Sequence, residues 1–310
     1  MRCILFILFA ATSWAQEAKL SVSSPDWEII GKIIQIQDSK VDQFTGIPYD
    51  EPLVGNSRFK KPLSLKEFPK KLKATNQAPT TSEDPTTKKA VMIWVYGGAF
   101  LTGSISFPFY NELALAGLGD VVVVTVNYRV GSFGLLTAGT ADEPGNLALY
   151  DQQLAFTWVK DNIHHFGGDP SKITIFGESA GGVSISAHVT SPKSKGLFQR
   201  AIIQSGTTFN SNYFLRKDTL LKKSEKVAKY SGCLENDVSL ASNSDQVLKC
   251  LRSKSPEVLL QVEYQVMDES DKYDQMGIIF DEEFLDYKSL FPFRPSTVNE
   301  AQLMIGVTKD

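Results

Sequence analysis

Gly177-Glu178-Ser179-Ala180-Gly181 is a G-x-S-x-G pentapeptide, and its flanks give the serine a possible chemical role. Before it runs the β-branched and aromatic stretch Ile173-Thr174-Ile175-Phe176, and after it comes a small-residue segment with helical spacing, residues 182–189. A strand, a sharp turn and a helix would hold Ser179 Oγ at the end of a sheet, with the two glycines letting neighbouring backbone close on the turn. The same letters also occur in ordinary glycine-rich strand–helix turns that do no chemistry. On the first reading Ser179 is the nucleophile of an acyl transfer, and a serine needs a base to take its proton.

The chain has three histidines, His164, His165 and His188. His188 follows Ser179 by nine residues on the same expected helix, which puts it near the opposite face and about 13 Å along the axis. His164 and His165 end the helical run that precedes Phe166-Gly167-Gly168-Asp169-Pro170. In a parallel strand–helix unit that loop feeds the start of the next strand, whereas the serine turn lies at its end. Both read as solvated helix-end residues that interact with the helix dipole. A nucleophile is present, and no histidine in reach of it.

The elements that must position Ser179 follow from periodicity. Residues 92–96 and 121–126 are near-continuous apolar runs, the pattern of strands buried on both faces, and residues 173–176 and 201–204 extend the series. Residues 211–276 turn rich in Lys, Ser and Asp with a helical period, and read as helices packed over the sheet. The chain reads as one α/β domain over residues 16–310, since 310 residues with 42% hydrophobic content suffice for one large core. A net charge of −3 without a basic stripe argues against nucleic acid. No phosphate-binding loop or metal-ligand cluster calls for a cofactor. Residues 1–15 combine a charged start, an apolar run and the small-x-small ending Ser13-Trp14-Ala15, the make-up of a secretory signal peptide cut after Ala15. That run is too short to span a bilayer, and no later stretch is long and apolar enough to do so.

The chain resembles the type-B carboxylesterase and cholinesterase family of α/β-hydrolases. The resemblance rests on Phe44-Thr45-Gly46-Ile47-Pro48-Tyr49 with Glu51-Pro52, on Val54-Gly55-Asn56-Ser57-Arg58-Phe59, and on Trp94-Val95-Tyr96-Gly97-Gly98-Ala99-Phe100. Asn127-Tyr128-Arg129-Val130-Gly131, Pro144-Gly145-Asn146, the serine pentapeptide and Gln204-Ser205-Gly206 continue it in the family's order. It implies an α/β-hydrolase fold, a mixed and mostly parallel sheet flanked by helices, here truncated at the C-terminal side. It also implies hydrolysis of a small-molecule or lipid carboxylic ester through an acyl-enzyme.

Acyl transfer needs N–H donors where negative charge develops on the carbonyl oxygen. The serine turn supplies the N–H of Ala180, and the resemblance picks Gly98 and Ala99 from the glycine loop as the other two. Glu178 reads as a group lining the pocket rather than as the catalytic acid. Phe100, Phe107, Phe109 and Tyr110 could wall an acyl pocket or serve as core.

Two departures from the family pattern stand out. Members carry the triad acid in a segment like G-x-x-K-D-E-G with the histidine well beyond it, whereas this sequence reads Gly306-Val307-Thr308-Lys309-Asp310 and stops. The chain as given is therefore expected to be inactive. Members also have a cysteine loop and an apolar strand where Ser82-Glu83-Asp84 here runs straight into Pro85-Thr86-Thr87-Lys88-Lys89. That pattern reads as an internal deletion with its scar in residues 75–89, and it leaves a gap in the sheet with unpaired backbone groups. A non-catalytic, cholinesterase-like adhesion or binding protein is the competing class, although such relatives usually lose the nucleophile that Ser179 represents.

The family also has a disulfide in the segment that holds Cys233 and Cys250. With Cys3 gone in the signal segment, these two have only each other in an oxidising compartment, the other possibility being two buried thiols. Closing a loop of about 18 residues contributes roughly 3 kcal/mol by the chain-entropy model. Non-reducing peptide mapping of secreted protein is expected to recover Cys233 crosslinked to Cys250. Two thiols open to alkylation would remove the secretory inference along with the bond.

Overall fold

The computed structural model describes residues 4–11, 20–74, 88–107, 110, 112–141, 143–208, 213–268, 276–286 and 298–309. In chain order the strands are β1 (Ile4–Ala11), β2 (Ser21–Ser23), β3 (Glu28–Ile30), β4 (Lys32–Ile36), β5 (Ser39–Pro48), β6 (Lys71–Lys73), β7 (Lys89–Val95), β8 (Val122–Val126), β9 (Gly168–Glu178), β10 (Arg200–Gln204), β11 (Phe214–Leu215), β12 (Ile278–Ile279) and β13 (Gln302–Gly306). The helices are α1 (Leu113–Gly119), α2 (Gly131–Leu135), α3 (Leu147–Asn162), α4 (Ala180–Thr190), α5 (Lys217–Tyr230), α6 (Ser244–Ser253) and α7 (Pro256–Asp268).

Eight strands form one sheet in the order β13-β10-β9-β7-β8-β1-β5-β4. From β13 to β8 every junction is parallel, and from β8 to β4 every junction is antiparallel. The expected mixed, mostly parallel α/β sheet is thus present. The apolar runs sit at its centre. All five residues of β8 are buried, as are Val91, Ile93, Trp94 and Val95 of β7 and Ile173, Ile175 and Phe176 of β9. Such strands are buried on both faces because helices cover both. Val41, Leu113, Ala116 and Val123 make a small separate cluster under α1, apart from the main core.

Two expectations need correction. The gap expected in the sheet is not there, because β1 lies between β8 and β5 and pairs antiparallel with both. These are the apolar residues read from the sequence as the core of a signal peptide. An apolar run of this length fits a leader and a buried strand equally well, and periodicity alone cannot separate the two. Of residues 75–89, read from the sequence as a scar, 75–87 lie outside the described residues, and β7 starts at Lys89 rather than at residue 92. The second correction concerns residues 211–276. They do form α5, α6 and α7, but these helices pack mainly on one another, on α2 and on the loop at residues 55–57 rather than across the sheet. Cys233 and Cys250 are bonded, with Cα atoms 5.5 Å apart, tying the end of α5 to α6.

A buried ion pair locks the chain just after β8. Arg129 donates from Nε and Nη2 to the two carboxylate oxygens of Asp151 on α3, at 2.8 and 2.7 Å, and its backbone N–H donates to the same carboxylate. A further guanidinium N–H donates to the Lys60 carbonyl. Both side chains are withdrawn from water, so losing one partner strands the other as a bare buried charge. Arg129→Met is expected to lower stability by about 3–5 kcal/mol, and the paired Arg129→Met with Asp151→Leu by clearly less. Urea unfolding of the three proteins checks this ordering.

Candidate active site

Ser179 joins the last residue of β9 to the first of α4 with φ 55° and ψ −122°. That is an uncommon backbone state for a residue with a Cβ, and contacts on every side hold it. Its N–H donates to the Gln204 carbonyl at 2.9 Å, and its own carbonyl accepts from Val183 at 2.9 Å. A Cβ on Gly206 would sit 2.2 Å from that same carbonyl oxygen, so only glycine lets the loop after β10 close on the turn. Ser179 is half-buried with Ala180 fully buried behind it. The strand–turn–helix expected around the serine is what the structure contains.

β7 and β9 are parallel neighbours in which Val95 lies opposite Gly177, so the chain leaving β7 emerges beside the serine turn. Three glycines make the approach possible. A Cβ on Gly181 would stand 2.1 Å from the Val95 carbonyl oxygen, and one on Gly177 would stand 2.7 Å from the same atom. A Cβ on Gly97 would lie 3.0 Å from Ser179 Cβ, 2.7 Å from the Glu178 carbonyl and 3.1 Å from its carboxylate. Gly98, Ala99 and Phe100 follow with φ of 115°, 58° and 58°, a tight reversal in which the Gly98 carbonyl accepts from Leu101 and Thr102. Gly98 is exposed and Ala99 half-buried. Ala180 opens α4, where a first-turn N–H has no acceptor within its own helix. The structure thus brings the loop carrying Gly98 and Ala99 and the turn carrying Ser179 and Ala180 to one edge of the sheet.

Glu178 reaches that edge with an exposed side chain. It lies near enough to Tyr110 that burial first, and the Glu178 charge second, push the Tyr110 hydroxyl above its ordinary pKa. Of the aromatic residues noted from sequence, Phe100 is fully buried against Tyr213 and belongs to the core. Phe107 is exposed and packs on Tyr110, while Phe109 lies outside the described residues. Ser205 gives its N–H to the Gly306 carbonyl of β13, tying the loop after β10 to that strand.

A tyrosine clasp was not legible beforehand. Tyr96 follows β7 and Tyr128 follows β8, and their rings stack at 4.4 Å. Each hydroxyl donates to the other's backbone carbonyl, at 3.0 Å from Tyr96 and 2.6 Å from Tyr128. Burial, with Tyr96 and Tyr110 nearby, drives the Tyr128 hydroxyl well above its usual pKa, so it stays a donor. The clasp fixes the residue directly before Gly97. Its only sequence trace is an aromatic just past each apolar strand, one residue after β7 and two after β8. Among the described residues no group of three or more His, Cys, Asp or Glu is placed to hold a metal ion, and no helix is long and apolar enough to cross a membrane.

Comparison with known proteins points to one family. The Carboxylesterase family matches residues 19–87 and 78–310, two segments that meet within the stretch read as a deletion scar. A cholinesterase from Mus musculus is 36% identical over 330 residues, covering 95% of this chain and 54% of that protein. An acetylcholinesterase from Danio rerio is 38% identical over 301 residues, covering 85% of this chain and 46% of its own length. Another from Bungarus fasciatus is 32% identical, covering 94% and 53%. The chain spans about half the length of the curated relatives it matches.

The histidines lie elsewhere. His188 is fully buried in α4, with Nδ1 on Ser194 Oγ at 2.7 Å and Nε2 on Gln152 Oε1 at 3.0 Å, so both ring nitrogens are engaged. His164 and His165 precede Gly168 at the far end of β9, roughly 25 Å from Ser179 by a strand's rise along the paired β7. His165 is half-buried against Trp27 rather than solvated. Burial lowers the His188 pKa from 6.5 to about 3. Below about pH 6.5 the unfolded chain therefore binds a proton that the folded one refuses, and stability falls as pH drops towards 3. The urea midpoint is expected to decline between pH 6.5 and 4 more steeply in the native protein than in His188→Gln. Equal slopes would contradict the buried neutral ring.

Proposed function

The chain belongs to the carboxylesterase family, and from that premise we propose that its site is built to hydrolyse carboxylic esters through Ser179. In this reading Ser179 Oγ attacks the ester carbonyl carbon, and the N–H groups of Gly98, Ala99 and Ala180 hold the oxygen as it gains charge. The alcohol leaves, and water then releases the acyl group from the serine. Glu178 lines the pocket beside the nucleophile. The substrate class is a small-molecule or lipid carboxylic ester, and the named activities of the relatives, cholinesterase and acetylcholinesterase, belong to that class.

The observation that carries the reading is the positive-φ serine between β9 and α4 with the Gly97 loop against its Cβ. Nucleophile and loop sit at the carboxyl ends of adjacent parallel strands, where open α/β sheets bind ligands. The 310-residue chain is nonetheless read as inactive. His188 is held by Ser194 and Gln152, and His164 and His165 lie at the other end of β9, so this reading gives Ser179 no histidine as base. We read residues 16–310 as a partial carboxylesterase domain with an internal deletion. Residues 1–15 have the make-up of an export leader, and the Cys233–Cys250 bond fits an oxidising compartment, which together support secretion.

Hydrolysis of p-nitrophenyl acetate by the purified 310-residue chain is expected to match that of its Ser179→Ala variant. Without the base, only the weak contribution of oxyanion donors and binding remains. Ser179-dependent turnover well above the variant would mean that a histidine does reach the serine, against the geometry described.

A further inference from the structure

The sheet has a slot with two built walls. β8 forms one wall, held from behind by β7, and β5 forms the other, held from behind by β4. Only β1 stands between them. Leu5 lies opposite Val126 on one side and Ile47 on the other, and Leu8 lies opposite Val123 and Gln43. With β1 removed, the eight-stranded sheet becomes a five-stranded parallel sheet and a detached β4–β5 hairpin. The facing edges of β8 and β5 would then hold unpaired backbone groups between residues that are themselves buried, among them Val123, Val124, Val126, Phe44 and Ile47. Backbone groups in such a place have no water to turn to, and a buried one without a partner forfeits its hydrogen bond outright. α1 also lies across β1 as well as β5 and β4, so its seat goes with the strand.

From this we infer that the slot between β5 and β8 is a strand-accepting site whose occupant is the chain's own Ile4–Ala11, so that folding and leader cleavage compete for the same residues. A cut after Ala15 takes the strand away with the leader. The folded molecule is therefore the one that keeps its N-terminus. The occupant is intramolecular because residues 12–20 join β1 to β2 with a reach of up to roughly 30 Å, which keeps the segment at high effective concentration beside the slot. The strand assignment itself stands on the sheet pairing. Only its consequence for export rests on reading residues 1–15 as a leader.

The test uses membrane-free, disulfide-forming translation, in which no leader is cut, to make the 1–310 and 16–310 chains and a Leu8→Pro form of the 1–310 chain. A proline at Leu8 removes a ladder donor from a strand paired on both sides, where proline is not tolerated. Hydrogen exchange and limited proteolysis are read on each. The 1–310 chain is expected to protect amides in residues 5–8 together with those of β8 and β5. The 16–310 and Leu8→Pro chains are expected to be cleaved at least roughly tenfold faster, since cleavage follows the population of the open form. A 16–310 chain that resists protease as well as the full chain does, or a full chain whose residues 5–8 exchange freely, would overturn the inference. Translation with microsomes tests the leader separately: a processed chain starting at Gln16 should be protease-sensitive, and a resistant one would again overturn the inference.

Discussion

The arrangement of this molecule turns on how closely α4 and the end of β9 approach the end of β7. Gly181 lies so near the Val95 carbonyl that a single added carbon would stand 2.1 Å from the oxygen, and Gly177 presses on the same atom from the strand side. Because neither glycine has a side chain, the β7–β9 ladder runs up to the turn without splaying. Ser179 is then left in a conformation that residues with a Cβ rarely adopt. Gly206 closes the third side against the Ser179 carbonyl. The strain at Ser179 is local, and the surrounding contacts that hold it are backbone against backbone.

From that contact the remaining parts take their places. The tyrosine clasp fixes the chain after β7 and β8, so the reversal at Gly98 and Ala99 is presented beside the serine. Arg129, next after Tyr128, anchors the same segment to α3 through Asp151. A polar lock under an exposed loop keeps the loop in one geometry while its neighbours face solvent. None of these contacts involves a histidine: the contacts around Ser179 are made by backbone, by the two tyrosines and by the Arg129–Asp151 pair.

Much of the site was legible in the sequence because its signals are local. G-x-S-x-G between an apolar strand and a small-residue helix specifies the turn, since strand, glycine and helix each carry their own short-range cue. The Gly97-Gly98-Ala99 loop and the cysteine pair came through resemblance rather than through spacing. What sequence did not give are the contacts between distant segments. The Tyr96–Tyr128 clasp and the Arg129–Asp151 pair join residues 32 and 22 positions apart, and no periodicity connects them. The use of residues 4–11 as a strand was hidden for another reason. Its apolar run satisfies the rules for a leader and for a buried strand alike, and the pairing with β8 and β5 is a contact between distant segments that periodicity does not show.

Replacing Gly181 by alanine tests the central contact through the sign of its effect. Within a helix, glycine to alanine ordinarily adds stability, by about 0.5–1 kcal/mol, because alanine loses less backbone freedom on folding. Here the new Cβ meets the Val95 and Tyr96 carbonyls, backbone atoms that cannot turn aside. The account predicts that the urea midpoint of the Gly181→Ala protein falls below that of the native chain. A midpoint that rises, or stays unchanged, would show that β7 and α4 do not meet as closely as described, and the serine turn would lose the constraint that holds it.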